Sequence, residues 1–485
     1  MPASLAQASW AALLPLLAVA ATGLLVLLLD PITAPERQGR LTVLSLAGIA
    51  AAAVAVLAGW GGSEALFGGM LIADPFARWF ALLFLGAAGL TLLISLTYLP
   101  RVDIEPGAHG ALLLFATLGM MIMAGSLDLM TIFLGLETLS IALYVLTGLL
   151  RGRLESSEAA LKYLLLGAFA SGFLLYGIAL IYGTTGSTNL VAVGAAIARG
   201  RVSEPVLLSL GIGLLLAGLG FKLAAVPFHM WAPDVYEGAP TAVTAFMIAG
   251  TKAAALAVLL RLLHLALPTL HADWSPVLWL MAALSMTVGN VVALVQSNLK
   301  RMLAYSSIAH AGYLLVALTT GTPMGSAGAL FYLAAYGCMT LGAFGVLVAL
   351  SRRDGERLTL DQCAGLGRRH PVLGAAMALF MFALAGIPPT GGFTGKLFIF
   401  SAAIQAGYLG LAVLGVLNSV VSAFYYLRVT VVMYMTTPEE APAPGEPSPA
   451  LGLAILLAAW GTVVLGVLPD RFYAAALRAV GLTVG

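Results

Sequence analysis

The main pattern in this chain is a series of apolar runs of about 20 residues, separated by short polar segments. A bilayer core about 30 Å thick is spanned by about 20 apolar residues in a helix. The pattern therefore predicts an all-α, polytopic membrane protein with about fourteen transmembrane helices. The predicted spans are 10–29, 41–60, 75–99, 110–124, 127–150, 159–182, 206–230, 241–264, 276–297, 302–320, 327–350, 372–403, 407–435 and 449–468.

Three details refine this prediction. The fourth run is short and extends toward Gly107, and the segment 191–198 is typical of a surface helix rather than a span. The first run has no Lys or Arg before Arg37, whereas a signal peptide begins with a basic region. We therefore expect the first run to be a retained helix.

Proline and glycine interrupt the seventh and twelfth spans. GFKLAAVPFHMW places Lys222 five residues before Pro227, and AGIPPTGGFTGKLF places Lys396 shortly after Pro388 and Pro389. Broken helices in a membrane free backbone groups that protein or water must satisfy, so they indicate a cavity or pathway. A simple packing kink is the alternative for either proline.

The matching interruptions also predict an internal repeat. The offset from Lys222 to Lys396 is 174 residues, which makes the two lysines counterparts. Broken helices in corresponding places are typical of transporters with inverted repeats. We expect N-terminal helices 1–3 in 1–105, repeats of five helices in 106–265 (helices 4–8) and 266–436 (helices 9–13), and a loop with helix 14 in 437–485.

The distribution of Lys and Arg among the loops predicts the orientation, because cytoplasmic loops are enriched in both. Loops after odd-numbered helices hold Arg37, Arg40, Arg101, Arg151, Arg153, Lys300, Arg301, Arg352, Arg353, Arg357, Arg368 and Arg369. The opposite side holds Arg199, Arg201, Arg471 and Arg478. Both termini are therefore predicted on the outer, periplasmic side of the membrane.

Composition limits the possible partners and cofactors. Hydrophobic residues make up 61% of the chain and charged residues 9%, and no soluble domain or basic cluster with interleaved aromatics is visible. We expect a lipid bilayer and no nucleic acid as partner. Cys338 and Cys363 are too few for a metal site or a disulfide framework. With no phosphate loop, cysteine cluster or haem motif either, we expect no metal, cofactor or electron carrier in this chain.

Lysine is the rare basic residue, with five among the 23 Lys and Arg, and three of the five lie deep in apolar spans. A lysine at the bilayer centre costs roughly 2.5–3.5 kcal/mol, so one retained there usually has a task. Unlike arginine, a buried lysine can gain and lose a proton near neutral pH. A lysine that snorkels or forms a structural ion pair is the alternative for any one of them. Lys162 and Lys300 are interpreted as helix-end charges.

These groups predict a proton relay. Glu137 is a carboxylate in mid-span, for which a lysine from another helix, Lys222, is the natural partner. Histidine passes protons readily near neutral pH, although a lone membrane histidine is also often structural. The other predicted relay residues are Lys252, Tyr305, His310, Lys396 and, for entry from the cytoplasmic side, His229.

Four segments resemble the antiporter-like membrane subunits of respiratory complex I, the bacterial NADH:quinone oxidoreductase, and most closely its N-type branch. They are FLGLETLSIALYVL, GFKLAAVPFHMWAPDVYEGAPTAVTAF, NLKRMLAYSSIAHAGYLL and LAGIPPTGGFTGKLFIF. The resemblance covers about residues 10–470. It identifies the family's helix-5 glutamate with Glu137 and its helix-7, helix-8 and helix-12 lysines with Lys222, Lys252 and Lys396.

The resemblance implies a non-redox subunit that translocates protons in the bacterial inner membrane, driven by electron transfer to quinone elsewhere. Implied partners are the antiporter-like subunits M and L, the small subunits K, J and A, and a hydrophilic redox arm. The complex is expected to use FMN, iron–sulfur clusters, NADH and quinone. A cation/proton antiporter, a membrane-bound hydrogenase, or a ferredoxin- or deazaflavin-linked dehydrogenase subunit are alternatives at this point.

Overall fold

The structure is a computed structural model that describes residues 10–351, 359–436 and 448–481. These residues are helical almost throughout. One antiparallel hairpin joins β1 (Glu64–Leu66) and β2 (Leu71–Ala73). The α-helices are α1 Trp10–Leu29, α2 Gly39–Ala58, α3 Pro75–Tyr98, α4 Pro106–Gly125, α5 Leu129–Thr147, α6 Leu154–Thr185, α7 Leu190–Ala198, α8 Pro205–Leu223, α9 Ala232–Gly238, α10 Thr241–Arg261, α11 His271–Leu294, α12 Leu299–Thr319, α13 Pro323–Leu350, α14 Leu366–Arg369, α15 Pro371–Ala385, α16 Gly391–Gln405, α17 Leu409–Met435, α18 Pro449–Val467 and α19 Pro469–Gly481.

The predicted membrane spans are confirmed. In the described parts of the chain, thirteen helices are long and apolar enough to cross a membrane. The predicted twelfth span is the pair of shorter helices α15 and α16, which brings the number of crossings to about fourteen. The fourth span begins at Pro106, and α7 is a short separate helix, as the sequence indicated. The C-terminal helix α19 was not predicted; it packs against α3 and α13.

Three helices form the centre of the molecule. Every residue of α10 is buried, as are nearly all residues of α12 and α13. The surrounding helices expose large apolar side chains on their outer faces, as helices in contact with lipid do. Because α10, α12 and α13 are buried on all sides, other helices rather than lipid surround them. Polar groups on these three helices are therefore enclosed by protein.

Both predicted helix breaks are present. Helix α8 ends at Leu223, Ala224 adopts the left-handed conformation with φ of 56°, and the chain becomes helical again only at α9. Helix α15 ends at Ala385, Gly386 is left-handed with φ of 89°, and α16 begins at Gly391. Each break contains one cis prolyl bond, at Pro227 and at Pro389. Each break leaves a helix C-terminus inside the protein.

The same kind of close contact between two neighbouring helices occurs in both halves of the chain. A Cβ atom on Gly119 of α4 would lie 2.6 Å from the backbone nitrogen of Leu139 in α5. A Cβ atom on Gly289 of α11 would lie 2.6 Å from the backbone nitrogen of Ala309 in α12. Only glycine permits either approach, and the second pair lies 170 positions after the first.

A backbone bridge recurs with the same spacing. Asp128 pairs with Asn189 before α5, and Asn298 pairs with Thr359 before α12, again 170 positions later. This recurrence supports repeats that begin at helices 4 and 9, with an offset of 170 rather than 174. The boundaries at 105, 265 and 436 remain a prediction. Three of the loop arginines used to predict orientation, Arg352, Arg353 and Arg357, lie outside the described residues.

A buried ion pair connects the N-terminal helices to the centre. The guanidinium of Arg261, at the end of α10, contacts the Asp74 carboxylate at 2.8 and 3.1 Å, and both side chains are at most 2% exposed. Arg261 Nε also donates to the carbonyl of Ala124, near the end of α4, at 2.7 Å. Asp74 in turn accepts from the backbone nitrogen of Ala77 and so caps α3. The pair therefore fixes three helices together.

Replacing Arg261 with Met leaves a buried, unpaired carboxylate, so we expect a loss of about 3–5 kcal/mol of stability. Thermal unfolding of the purified membrane protein should show a clearly lower midpoint. The double variant Arg261→Met/Asp74→Asn keeps a polar cap on α3 and leaves no unpaired charge, and should lose less. The control is Arg428→Met, which removes an exposed arginine. Equal midpoints for Arg261→Met and Arg428→Met would contradict this account.

Candidate functional site

Four of the five lysines lie inside the protein. Lys222, Lys252, Lys300 and Lys396 are 2%, 0%, 1% and 5% exposed. Lys162 keeps 41% of its side chain exposed and pairs with Glu158 at 2.7 Å, as expected for a helix-end charge. Lys300 does lie at a helix end, as the second residue of α12, but it is buried against the end of α9, which was not predicted.

Backbone carbonyls at the broken helix ends hold two of the predicted relay lysines. Lys252 Nζ donates to the carbonyl of Leu223, the last residue of α8, at 2.8 Å. Lys396 Nζ donates to the carbonyls of Leu384 and Ala385, the last residues of α15, at 3.2 and 3.1 Å. The last carbonyls of a helix lack intrahelical partners and carry its negative dipole end. Each break therefore provides a site for one ammonium group.

The buried lysines near the two breaks differ in position and in contacts. Lys222 lies in the last turn of α8, before its break, whereas Lys396 lies in α16, after its break. Lys396 and Lys252 make the same contact, each with the C-terminus of the helix that ends at a break. Because these two lysines are 144 residues apart, their shared contact does not follow the 170-residue offset, and the pairing of Lys222 with Lys396 stays a prediction. Lys300 makes a third contact of this kind, with the carbonyl of Ala239 after α9 at 2.7 Å.

Lys222 has a different environment. Within the described residues its Nζ has no hydrogen-bond partner, and it lies 5.1 and 5.5 Å from the ring centres of Tyr163 and Tyr144. The buried hydroxyls of Tyr144 and Tyr163 are also without a partner in this part of the chain. Cation–π contact gives the ammonium partial compensation. Three polar groups with unused hydrogen-bonding capacity thus meet here, as in sites that bind internal water.

Glu137 lies beside this cluster without contacting the lysine directly. It is half-buried on α5 and accepts a hydrogen bond from the hydroxyl of Ser171 on α6. In the described chain it forms no ion pair, yet it lies near enough for its charge to act on Lys222. Glu137 and Lys222 thus interact electrostatically without direct contact, and they do not form a salt bridge.

His310 lies at the centre of the second half. Its Nδ1 is 2.5 Å from the hydroxyl of Tyr332 and its Nε2 is 2.9 Å from the hydroxyl of Tyr426. The charges of both Lys252 and Lys396 act on the imidazole. His310 is thus within electrostatic range of both lysines held by helix ends. The two tyrosines were not predicted, since no sequence pattern shows that α13 and α17 meet at this ring.

The structure does not bring the other two predicted residues into this group. Tyr305 is half-buried on α12, with its ring 5.8 Å from the Arg301 guanidinium. His229 is half-buried in the break after α8, and its Nδ1 has no partner within the described residues. The roles of both remain predictions.

A charged cleft of about 260 Å³ lies where α6, α9 and α12 meet. Asp234 joins Lys162 at 2.9 Å and Arg301 at 2.8 Å, and Arg301 also binds Glu237 at 2.8 Å. Burial alone would raise the pKa of Asp234, but hydrogen bonds from Lys162 and Arg301 outweigh burial and hold this pKa below its usual value. Asp234 and Glu237 were not predicted, although both lie in the segment PDVYEGAPT, most of which forms α9.

Comparison with known proteins identifies close relatives. Residues 126–422 match the family described as NADH:quinone oxidoreductase/Mrp antiporter, TM. The chain is 48% identical over 470 residues to NADH-quinone oxidoreductase subunit N of Trichlorobacter lovleyi, covering 97% of this chain and 96% of that protein.

Solved structures show the same fold. A chain of respiratory complex I from Thermus thermophilus with bound aureothin is 40% identical, with a TM-score of 0.82, covering 95% of this chain and 98% of that one. A chain of the Mrp complex from Dietzia sp. DQ12-45-1b is 21% identical, with a TM-score of 0.86 and coverage of 98% of both chains. At that identity the second likeness shows the fold alone.

Proposed function

The chain belongs to the NADH-quinone oxidoreductase subunit N family, and on this basis we propose that it carries protons across the bacterial inner membrane as a non-redox subunit of respiratory complex I. The observation that supports this most strongly is the series of buried protonatable groups on α8, α10, α12 and α16. These groups are Lys222, Lys252, His310 and Lys396.

The geometry supports a stepwise transfer. Lys222 has no fixed hydrogen-bond partner in the described chain, so little holds its proton in place beyond Glu137 and the aromatic faces. The ammonium groups of Lys252 and Lys396 donate hydrogen bonds to carbonyls at helix C-termini. The charges of both ammonium groups act on His310. Like charges close to one another disfavour the charged form of each. A proton arriving on one group therefore promotes release from the next.

The membrane potential sets the energetic load. Moving one charge against 100 mV costs about 2.3 kcal/mol, so one electrostatic switch of about 2 kcal/mol does not cover this cost and several in series are needed. In this proposal the driving energy comes from electron transfer to quinone in other subunits. Those subunits would hold the FMN and iron–sulfur clusters and would bind NADH and quinone.

The relatives also support the choice of partners. We propose that the chain assembles with the antiporter-like subunits M and L, the small subunits K, J and A, and a hydrophilic redox arm. The alternative of a separate cation/proton antiporter rests on the 21% identical Mrp chain, which shows the fold alone. No second function is favoured by the site.

Lys222→Ala and Glu137→Gln should each reduce proton translocation coupled to quinone reduction by about tenfold or more, because each removes a group that must bind or bias a proton. Assembled complex in liposomes, with a pH-sensitive dye and a quinone reductase assay, measures both activities. Lys222→Arg should also fail, since arginine does not release its proton.

The matched control is Lys162→Ala, which removes a lysine from the surface. It should pump as the wild type does. If Lys222→Ala and Glu137→Gln both retain full quinone reductase activity and full proton translocation, the chain does not carry protons through these residues.

We propose that both termini lie on the periplasmic side, because the Lys and Arg residues concentrate in the loops after odd-numbered helices. A C-terminal alkaline phosphatase fusion should then be active and a green fluorescent protein fusion dark. The same reporters inserted between α5 and α6, near Arg151, should give the reverse result. Fluorescence at the C-terminus together with phosphatase activity near Arg151 would invert the orientation.

A further inference from the structure

Two tyrosine hydroxyls hold His310, one at each ring nitrogen. Tyr332 comes from α13 and Tyr426 from α17, so the imidazole of α12 joins three helices. His310 is 1% exposed and both tyrosines are fully buried. Tyr426 shares a further hydrogen bond with the hydroxyl of Ser306, one turn before His310 on α12. A continuous line of exchangeable protons therefore runs from Tyr332 through His310 and Tyr426 to Ser306.

The number of exchangeable hydrogens limits which groups in this line donate hydrogen bonds and which accept them. A neutral imidazole has one N–H and one acceptor nitrogen, so one tyrosine donates to the ring and the other accepts from it. In the described chain the Tyr332 hydroxyl has no other hydrogen bond, so its hydrogen has only Nδ1 to bind. The reverse arrangement would bury that hydrogen without a partner, which is unfavourable.

One hydroxyl at an end of this line keeps a hydrogen that bonds no other member of the line, and Ser306 can satisfy that hydrogen more easily than Tyr332 can. In the favoured arrangement Tyr332 donates to Nδ1, Nε2–H donates to Tyr426, and Tyr426 donates to Ser306. The serine hydrogen left over can turn to a carbonyl of its own helix, as helical serines do. Nε2 is then the protonated ring nitrogen of the neutral imidazole.

We propose that Tyr332 and Tyr426 are positioning residues that make His310 a two-sided proton carrier, which receives at Nδ1 and delivers from Nε2. This inference rests on the proposed function. Lys252 and Lys396 supply the ammonium groups whose charges act on the ring. Neither tyrosine needs to ionise.

The transfer balances at every atom. When the Tyr332 oxygen takes a proton that reaches it through water, it releases its own hydrogen to Nδ1. Nε2 then gives its proton to the oxygen of Tyr426, which passes its own hydrogen to Ser306. Ser306 in turn releases its own hydrogen to a water molecule. Each group gains and loses one proton, and every hydrogen bond in the line ends reversed.

Tyr332→Phe and Tyr426→Phe test the proposal in the assembled complex, because they remove one hydroxyl and keep the ring. Each should reduce proton translocation per quinone reduced by about tenfold or more. The control is Tyr336→Phe: the Tyr336 ring packs 4.7 Å from that of His310, but in the described chain its hydroxyl does not bond the imidazole. This variant should pump as the wild type does.

Nitrogen-15 NMR of histidine-labelled complex provides a readout that a merely structural role would not change. The His310 signal, assigned by its loss in His310→Gln, should show a protonated Nε2 in the wild type. In Tyr426→Phe the ring proton should shift toward Nδ1, where Tyr332 can still accept it. A wild-type ring protonated at Nδ1, or an unchanged tautomer in Tyr426→Phe, would overturn the proposal.

The reference variant His310→Gln separates two kinds of failure. If His310→Gln pumps poorly while Tyr332→Phe and Tyr426→Phe both pump normally, the positioning role is wrong and the proposed function stands. If His310→Gln also pumps normally, the route through His310 in the proposed function is itself wrong.

Discussion

The hydrogen bond between a buried ammonium group and the C-terminus of a broken helix is the interaction on which this structure depends. A charge inside the membrane is tolerated only beside compensating groups, and a continuous helix has no free carbonyls to offer. The breaks after Leu223 and Ala385 provide such carbonyls in the protein interior, where Lys252 and Lys396 bind them. The interruption in the backbone and the buried lysine are therefore two parts of one arrangement.

The site combines groups held firmly with one held loosely. Lys252, Lys396 and His310 each have defined hydrogen-bond partners, whereas Lys222 has aromatic faces and a nearby carboxylate charge. A carrier must bind a proton well enough to take it and weakly enough to pass it on. The buried ion pair of Arg261 serves a different purpose, because arginine keeps its charge and fixes helices in place. The chain thus uses arginine for architecture and lysine for exchange.

Much of this was predictable from sequence, for physical reasons that also set the limit. Bilayer thickness fixes the length of apolar runs, and proline with clustered glycine disrupts helices, so both the spans and the breaks near Pro227 and Pro389 were visible. The partners of the lysines are backbone carbonyls, which leave no mark in the sequence. For the same reason the contact that Lys252 and Lys396 share was not predicted. The burial of Lys300 also escaped prediction, because it depends on how α9 packs against α12.

The central claim is that protons cross the interior through groups that begin at Lys222. The most direct measurement is a cryo-electron microscopy map of the assembled complex that resolves water. The account predicts ordered waters bonded to Lys222 Nζ and to the hydroxyls of Tyr144 and Tyr163, continuing toward Lys252. A dry cluster, with Lys222 bonded directly to a carboxylate and no water between it and Lys252, would contradict the account.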